Sequence, residues 1–435
     1  METAPVGEPV VAVDAVARLH RRFEVFGQQL PVTLWDGTQL GPTDASYRLK
    51  LQTPWALRAM VSPPSSAAVG EAYLRDDIDV EGSMVAALTG LRLAMSALPR
   101  HERARMLTTV TRLPAPPKGV RPPGVRLRGR RHLRARDQQA VRHHYDLDAD
   151  FFATFLDEAK VYSCGYFAES DRHAPATDRH VLHRAQQRKL ELICRKLDLK
   201  PSERLLDVGC GWGALVVFAA KHFGVHATGI TLSPPQAEAA KRAANAAGVS
   251  DRVHIEVADY RDVDDSYDAI ASIGMVEHVG VQNLPRYAKQ LHAALAPGGR
   301  LLNHGITTGR RNVVRDMSKD RDNFIARYVF PDGALVPTHH HVRIFQEAGF
   351  EVWDLEQLRP HYARTLMHWV ANLEADASTA RRIGGEQAYR VWRAYMAGSV
   401  LGFASNDLAV VQVLAAKEPA TMPFGRDRMQ LRLAP

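Results

Sequence analysis

Cysteine is scarce in this chain: three among 435 residues, Cys164, Cys194 and Cys210. So low and odd a number excludes a disulfide framework and fits a reducing compartment. No run of about 18 uncharged apolar residues occurs, so no membrane-spanning helix is expected. The opening residues, Met-Glu-Thr-Ala-Pro, lack a basic stretch followed by an apolar block, and no secretory leader is expected. A surplus of charge is missing too. The chain is 46% hydrophobic and 24% charged, which excludes global disorder. At roughly 100–200 residues per domain, the length gives two to four domains.

Acidic residues are absent from one segment, 118 to 136. It holds Lys118, Arg121, Arg126, Arg128, Arg130, Arg131, Arg134 and Arg136, and the whole chain has a net charge of +8, so the remainder is neutral. Such a strap suits a phosphate-bearing surface, either nucleic acid or an anionic membrane, and it also reads as a solvated linker. It has no aromatic residue apart from His132. Proteins that bind bases pair cations with stacking rings, so nucleic acid is disfavoured and an anionic membrane is the expected partner.

Residues 1–112 read as a small mixed domain. Val32–Thr38 is a strand entering an Asp-Gly turn, and Met84–Leu98 is a helix stopped by Pro99. The prolines at 114, 116, 117, 122 and 123 mark 113–137 as a linker merging into the basic strap. From 138 to 435 strands alternate with helices. The expected strands are Arg204–Val208, Val225–Ile230, Val253–Val257, Tyr267–Ile273 and Arg300–His304, with a helix over Tyr287–Leu295 ended by Pro297-Gly298-Gly299. That alternation implies a mostly parallel sheet covered on both faces.

The first of these strands runs into Gly209-Cys-Gly-Trp-Gly213 and then a helix, a nucleotide-binding corner. The spacing Gly209, Gly211, Gly213 is not the dinucleotide fingerprint, and no acid ends the second strand where a ribose carboxylate would stand. That strand ends instead in Thr231-Leu232-Ser233, whose hydroxyls, with Gln236, could serve a ribose. Asp259 could accept from an adenine amine and Tyr260 could cover the ring; the pair could equally cap a helix. Together these parts suit S-adenosylmethionine on a class I methyltransferase sheet: an α/β, Rossmann-like fold with a smaller N-terminal α+β domain.

Several segments resemble the cyclopropane-fatty-acyl-phospholipid synthase family, which includes mycolic acid cyclopropane synthases and fatty-acyl methyltransferases. They are His144–Leu147, Tyr162-Ser163-Cys164, Leu206–Gly213, Gly229–Ser233, Ser272-Ile-Gly-Met-Val-Glu-His-Val-Gly280, Tyr328–Pro331 and His361-Tyr362. The resemblance runs from about residue 138 to 416 and implies methylene transfer from S-adenosylmethionine to the double bond of a phospholipid acyl chain. It places Tyr162, Ser163, Asp207, Gly209, Gly211, Gly213 and Ser272 at the cofactor. It also implies a bicarbonate ion acting as general base, held by Cys164, Glu277, His304, Ile306 and Tyr362. Where some relatives have a C-terminal cysteine this chain has Ser399, which excludes a thiol there. A methyl-branched or methylene product, an RNA methyltransferase and a silent cofactor-binding regulator are the alternatives.

The residues themselves add a physical case. A carbocation left on an acyl chain needs a dry slot, nearby aromatic faces or acceptors, and a positioned base. Tyr145, Tyr162, Phe167, Tyr328, Phe330 and Tyr362 could line that slot or be ordinary core. Glu277, in the apolar run Ile273–Val279, needs a partner if buried. His304 alone would read as a core histidine and Cys164 as a small buried hydrophobe. His339-His340-His341 reads as a loop, because adjacent side chains converge poorly on one ion, and no metal is expected. Trp35, Trp55 and Tyr73 in the N-terminal domain could meet lipid or form a homodimer, or belong to a plain scaffold. The expected location is cytoplasmic, on the inner face of the membrane.

Overall fold

The computed structural model describes residues 8–61, 65–117, 122–125, 127–145, 149–320 and 322–420. Of residues 8–11, 141–145 and 318 only the backbone is described. Lys118, Arg121 and Arg126 of the strap, and the Tyr145 side chain, therefore lie outside the description.

The N-terminal domain is built on four short strands, β1 (Val32–Thr33), β2 (Gln39–Leu40), β3 (Tyr47–Leu51) and β4 (Ile78–Gly82), in the order β2-β1-β3-β4. Helix Met84–Ala97 follows, capped by the Ser83 hydroxyl. Helices Glu8–Val25 and Arg100–Val110 complete a separate small core around Leu19, Leu34, Leu98 and Leu113.

The second domain carries β5 (Arg204–Val208), β6 (His226–Thr231), β7 (Val253–Val257), β8 (Tyr267–Ile273), β9 (Leu295–Thr308), β10 (Arg315–Asp316), β11 (Ala334–Pro337), β12 (Phe350–Gln357) and β13 (Leu408–Lys417). Strands β7, β6, β5, β8 and β9 lie side by side and parallel. Antiparallel β13 joins β9 to β12. Strand order reverses beside β5, so a ligand crevice opens at its carboxyl end. There β5 gives way to Gly209, Gly211 and Gly213, all at positive φ. A Cβ on Gly213 would stand 2.7 Å from that of Ala240, so this glycine lets helix Ala214–Phe223 approach helix Pro234–Ala246.

Strand β9 differs from the expected one in both length and start. It runs fourteen residues and takes in Pro297-Gly298-Gly299, because the register against β8 jumps between Tyr267/Leu295 and Ala269/Arg300 and the bulge absorbs the extra residues. His304 is thus mid-strand rather than terminal. The 339–341 histidines are likewise not in a loop. They open helix Thr338–Glu347, whose His341, Ile344 and Phe345 fall on one buried face.

The two domains share a large core. Tyr73, Val80, Met84 and Ala87 of the first pack with Phe151, Trp369 and Trp392 of the second. Two arginines of helix Ala377–Ala404 fasten this seam. Arg390 donates to Tyr73 O at 2.7 Å. Arg393, nearly buried, donates to Val80 O at 3.0 Å, Gly82 O at 2.7 Å, the Tyr73 hydroxyl at 3.2 Å and Glu374 at 2.9 Å. Gly70 also belongs here, since a Cβ would fall 2.0 Å from the Phe324 ring.

The linker was expected to end at residue 137, but helix Arg134–Tyr145 begins inside the strap. Arg134 pairs with Asp262 and Arg136 with Asp332. Among the described residues, no helix is long and apolar enough to cross a membrane.

Removing Arg393 leaves two carbonyls and the Glu374 carboxylate without their buried cation. Arg393→Met should cost about 3–5 kcal/mol, the usual penalty for breaking a buried charged network from one side. Denaturant melts of wild type and variant check this; a loss below about 1 kcal/mol would remove the seam role.

Candidate active site

A cavity of about 630 Å³ opens at the carboxyl ends of β5, β6 and β8. One arm is polar. It is lined by Asp207, Gly209, Gly211, Thr231, Leu232, Gln236, Asp259 and Tyr260. The other arm holds Glu277, His304, Ile306, Tyr362, Tyr162, Phe330, Tyr395 and Ser399.

Glu277 sits in the short helix Val276–Val279 just past β8, nearly buried. Its Oε1 accepts from the Ile306 N–H at 2.6 Å, while Oε2 is buried without a partner among the described residues. Burial pushes its pKa up from 4.5 to about 7, against the opposing pull of the Ile306 N–H.

His304 and Ile306 alternate on β9 and so share one face. Burial, reinforced by the nearby Lys189 and Lys196 charges, holds His304 down to about 3, so its ring is neutral. Its tautomer follows from its neighbours. Gln412 stands directly opposite on β13, 3.3 Å from His304 Nδ1. Lys196 Nζ donates to Gln412 Oε1 at 2.7 Å, and Lys196 is itself paired with Glu356. An ammonium only donates, so it fixes the amide oxygen on its own side and turns the amide NH2 toward His304. Nδ1 then accepts, and the proton resides on Nε2. That Nε2 is buried without a partner among the described residues. Among the groups lining this arm, Glu277 Oε2 is thus an open acceptor and His304 Nε2–H an open donor.

Aromatic rings shape the rest of the arm. Tyr162 stacks on Trp369 at 5.1 Å, and its hydroxyl lies 3.5 Å from that of Tyr395, whose ring meets Phe330 edge-on at 5.7 Å. Phe167 and Tyr328 are elsewhere. Phe167 stacks on His368, and Tyr328 reaches Glu71 of the N-terminal domain. Ser399 takes its place in the lining.

The polar arm also departs from expectation in places. Thr231 gives its hydroxyl to Gln236 Oε1 at 2.9 Å, leaving the Gln236 amide hydrogens for a ligand. Ser233 caps helix Pro234–Ala246 and does not reach the cavity. The buried Ser272 hydroxyl accepts from Tyr287 behind the wall. Gly213 serves packing, as described. The Cys164 thiol faces Gly165 O and Leu358 O outside the cavity, and burial pushes its pKa up. Cys164 is thus beside the cavity and not in its lining.

Asp259 takes the capping role that was one of its two expected readings. It caps the turn Tyr260–Asp262 and lines the cavity, but both its oxygens also accept from Arg261, at 2.8 and 2.6 Å. Arg261 in turn holds Asp137 of the strap helix at 2.9 Å.

Lys189 was not anticipated. It lies in helix Arg179–Lys196 among several other cations, yet it is 2% exposed and lines the cavity. Among the described residues, no group of His, Cys, Asp and Glu could hold a metal ion.

The pattern described as mycolic acid cyclopropane synthetase matches residues 132–413. The chain belongs to that family. A probable fatty acid methyltransferase of Pseudomonas putida is 35% identical over 92% of this chain and 96% of its own length. One from Mycobacterium tuberculosis is 36% identical over 96% and 97%. A mycolic acid cyclopropane synthase solved with S-adenosylhomocysteine (SAH) and CTAB superposes with a TM-score of 0.58 at 31% identity, covering 64% of this chain and 98% of that one. Residues 21–94 match a domain of unknown function.

As a member of the family the chain is an S-adenosylmethionine-dependent methyltransferase, and the polar arm fits that cofactor. Gly209 and Gly211 leave backbone without side chains at the end of β5. Asp207 Oδ1 is buried without a partner among the described residues, an acceptor suited to the cofactor's amine.

Two outcomes follow. Gln412→Leu releases the His304 ring, and turnover should fall about ten-fold or more while SAH affinity, read by calorimetry, is unchanged; equal losses would mean Gln412 only packs. Glu277 acts ionised, so turnover should rise with pH through about 7. Glu277→Gln should cost roughly 10²–10⁴-fold and flatten that limb. Stability shows the opposite sign. Between pH 4.5 and about 7 the folded carboxyl holds a proton that the unfolded chain has lost, so folding weakens as pH rises through this window. Denaturant melts at pH 5 and 8 should show that slope in wild type and less of it in Glu277→Gln.

Proposed function

We propose that this protein transfers a one-carbon unit from S-adenosylmethionine to the double bond of an unsaturated acyl chain of a membrane phospholipid, giving a cyclopropane. The observation that carries this reading is a cavity, shared with the cofactor corner, that is lined by Tyr162, Phe330 and Tyr395 and holds a buried carboxylate and a neutral histidine. The cofactor supplies an electrophilic methyl on a sulfonium. The alkene's electron pair forms the new C–C bond as the C–S bond breaks, leaving positive charge on the second alkene carbon. Tyr162, Tyr395 and Phe330 exclude water from that cation and turn π faces toward the arm. Loss of a proton from the new methyl lets the ring close. Glu277, His304 and Tyr362 would hold bicarbonate as the base that takes this proton, with the Ile306 N–H positioning Glu277.

A second product is favoured by two of the relatives that match from end to end, each named a probable fatty acid methyltransferase. The same cation, shifted before proton loss, gives a methylene-branched chain, and later reduction a methyl-branched one.

Docking on an anionic bilayer is part of the reading. With Arg134 and Arg136 engaged internally, the exposed Arg128 and Arg130 are the described strap residues that support it. So does the loop beside the cavity, where Arg311 and Arg315 line the opening and Val313 and Val314 stand about half exposed.

Lipids from a host lacking such an enzyme, expressing this chain and fed oleate, decide the product. A gain of one CH2 with upfield ring protons is expected. Vinylidene protons at the same mass, or two further hydrogens with a branched-methyl signal, would move the product to the second reading. No gain, from wild-type protein that binds cofactor, would overturn the acyl-chain substrate.

A further inference from the structure

Helix Arg179–Lys196 is rich in cations, and most have obvious partners. Arg184 and Arg188 meet Asp171, Arg195 meets Glu191, and Lys196 meets Glu356. Lys189, two turns before Lys196 on the same face, differs. It is buried, it lines the cavity, and among the described residues no carboxylate lies within 4 Å of its Nζ. Its one described hydrogen bond goes to the Ser163 hydroxyl, at 2.9 Å.

Asp157 and Asp207 favour its charged form from a distance, but among the described residues neither pairs with it. Asp157 accepts from Val161 N and Ala159 N and meets His183. Asp207, on the cavity wall, is pushed up to about 7 by burial, so near neutrality much of it is uncharged. An ammonium taken out of water needs an anion or loses its proton. Burial lowers Lys189 only to about 8, so it is still mostly charged at neutral pH. Ser163 completes the arrangement. Its oxygen accepts from Lys189, which leaves its own O–H to donate, and Ser163 also lines the cavity. A lysine N–H and a serine O–H side by side match the two oxygens of a carboxylate group.

We propose that Lys189, with Ser163, forms the binding site for a carboxylate-type anion in this cavity, either the methionyl carboxylate of the cofactor or the small oxyacid anion beside Glu277. The inference rests on cofactor use and not on the acyl-chain reading.

Calorimetry with two sulfonium ligands tests it without any lipid. The probes are S-adenosylmethionine and its decarboxylated form, which differ by the carboxylate alone. Wild type should bind the intact cofactor at least about ten-fold more tightly. Lys189→Met should lose that margin and bind the decarboxylated form as wild type does. If instead both affinities hold in Lys189→Met and half-maximal turnover needs about ten-fold more bicarbonate, the anion is the oxyacid and the site stands. Equal weakening of both sulfonium ligands, or no change in either affinity or in the bicarbonate requirement, would overturn the proposal. Should Lys189→Met not fold, the wild-type affinity ratio needs no variant. A ratio near one, together with a bicarbonate requirement that Lys189→Arg leaves unchanged, would also overturn it. Because the calorimetric arm can be read on protein that makes no lipid product, failure of the acyl-chain reading is separable.

Discussion

Burial without pairing is the constraint on which this site depends. Glu277 Oε2, His304 Nε2 and Asp207 Oδ1 are buried and have no hydrogen-bond partner among the described residues, an arrangement that costs free energy. The surrounding architecture makes that cost bearable. Strand β9 is held along nine residue pairs by β13, which fixes His304 opposite Gln412 and sets the Ile306 N–H against Glu277. Helix Ala377–Ala404 then lays Tyr395 and Ser399 over the same arm. The N-terminal domain braces that helix through Arg390 and Arg393, so a region remote from the chemistry helps keep the arm dry.

Charge is handled in the same manner. Lys196 is neutralised by Glu356, and its remaining reach orients one amide and through it one imidazole. The site thereby gains a fixed donor that carries no charge of its own. A neutral histidine that can only donate at Nε2 separates the donor role from the acceptor role of Glu277.

Much of this was legible in the sequence because its signals are local. The strands from Arg204 to Ile273 and the glycine corner are each written in a few adjacent residues. Glu277 stood out because a carboxylate in an apolar run needs an explanation. What was not legible depends on pairing at long range. Gln412 lies 108 positions from His304, and nothing near it in sequence marks it. Lys189 is hidden among other cations of its helix and is singled out only by burial. The histidine run at 339–341 was misread because composition hid the buried face formed with Ile344 and Phe345. Ser233, Ser272 and the Cys164 thiol belong to family-like segments, yet their polar atoms serve a helix cap, a tyrosine and two backbone carbonyls.

The strap that leaves the N-terminal domain is stitched into the cofactor corner: Arg134 to Asp262, Arg136 to Asp332, and Asp137 to Arg261, which grips Asp259. This limits the modularity of the protein. A catalytic fragment begun at residue 138 would start inside helix Arg134–Tyr145, strip all three stitches, and leave Arg261 with Asp259 alone. The natural cutting line for fusions or domain exchange therefore falls upstream of the strap helix, and a transplanted front half would have to bring a linker able to rebuild the same seam.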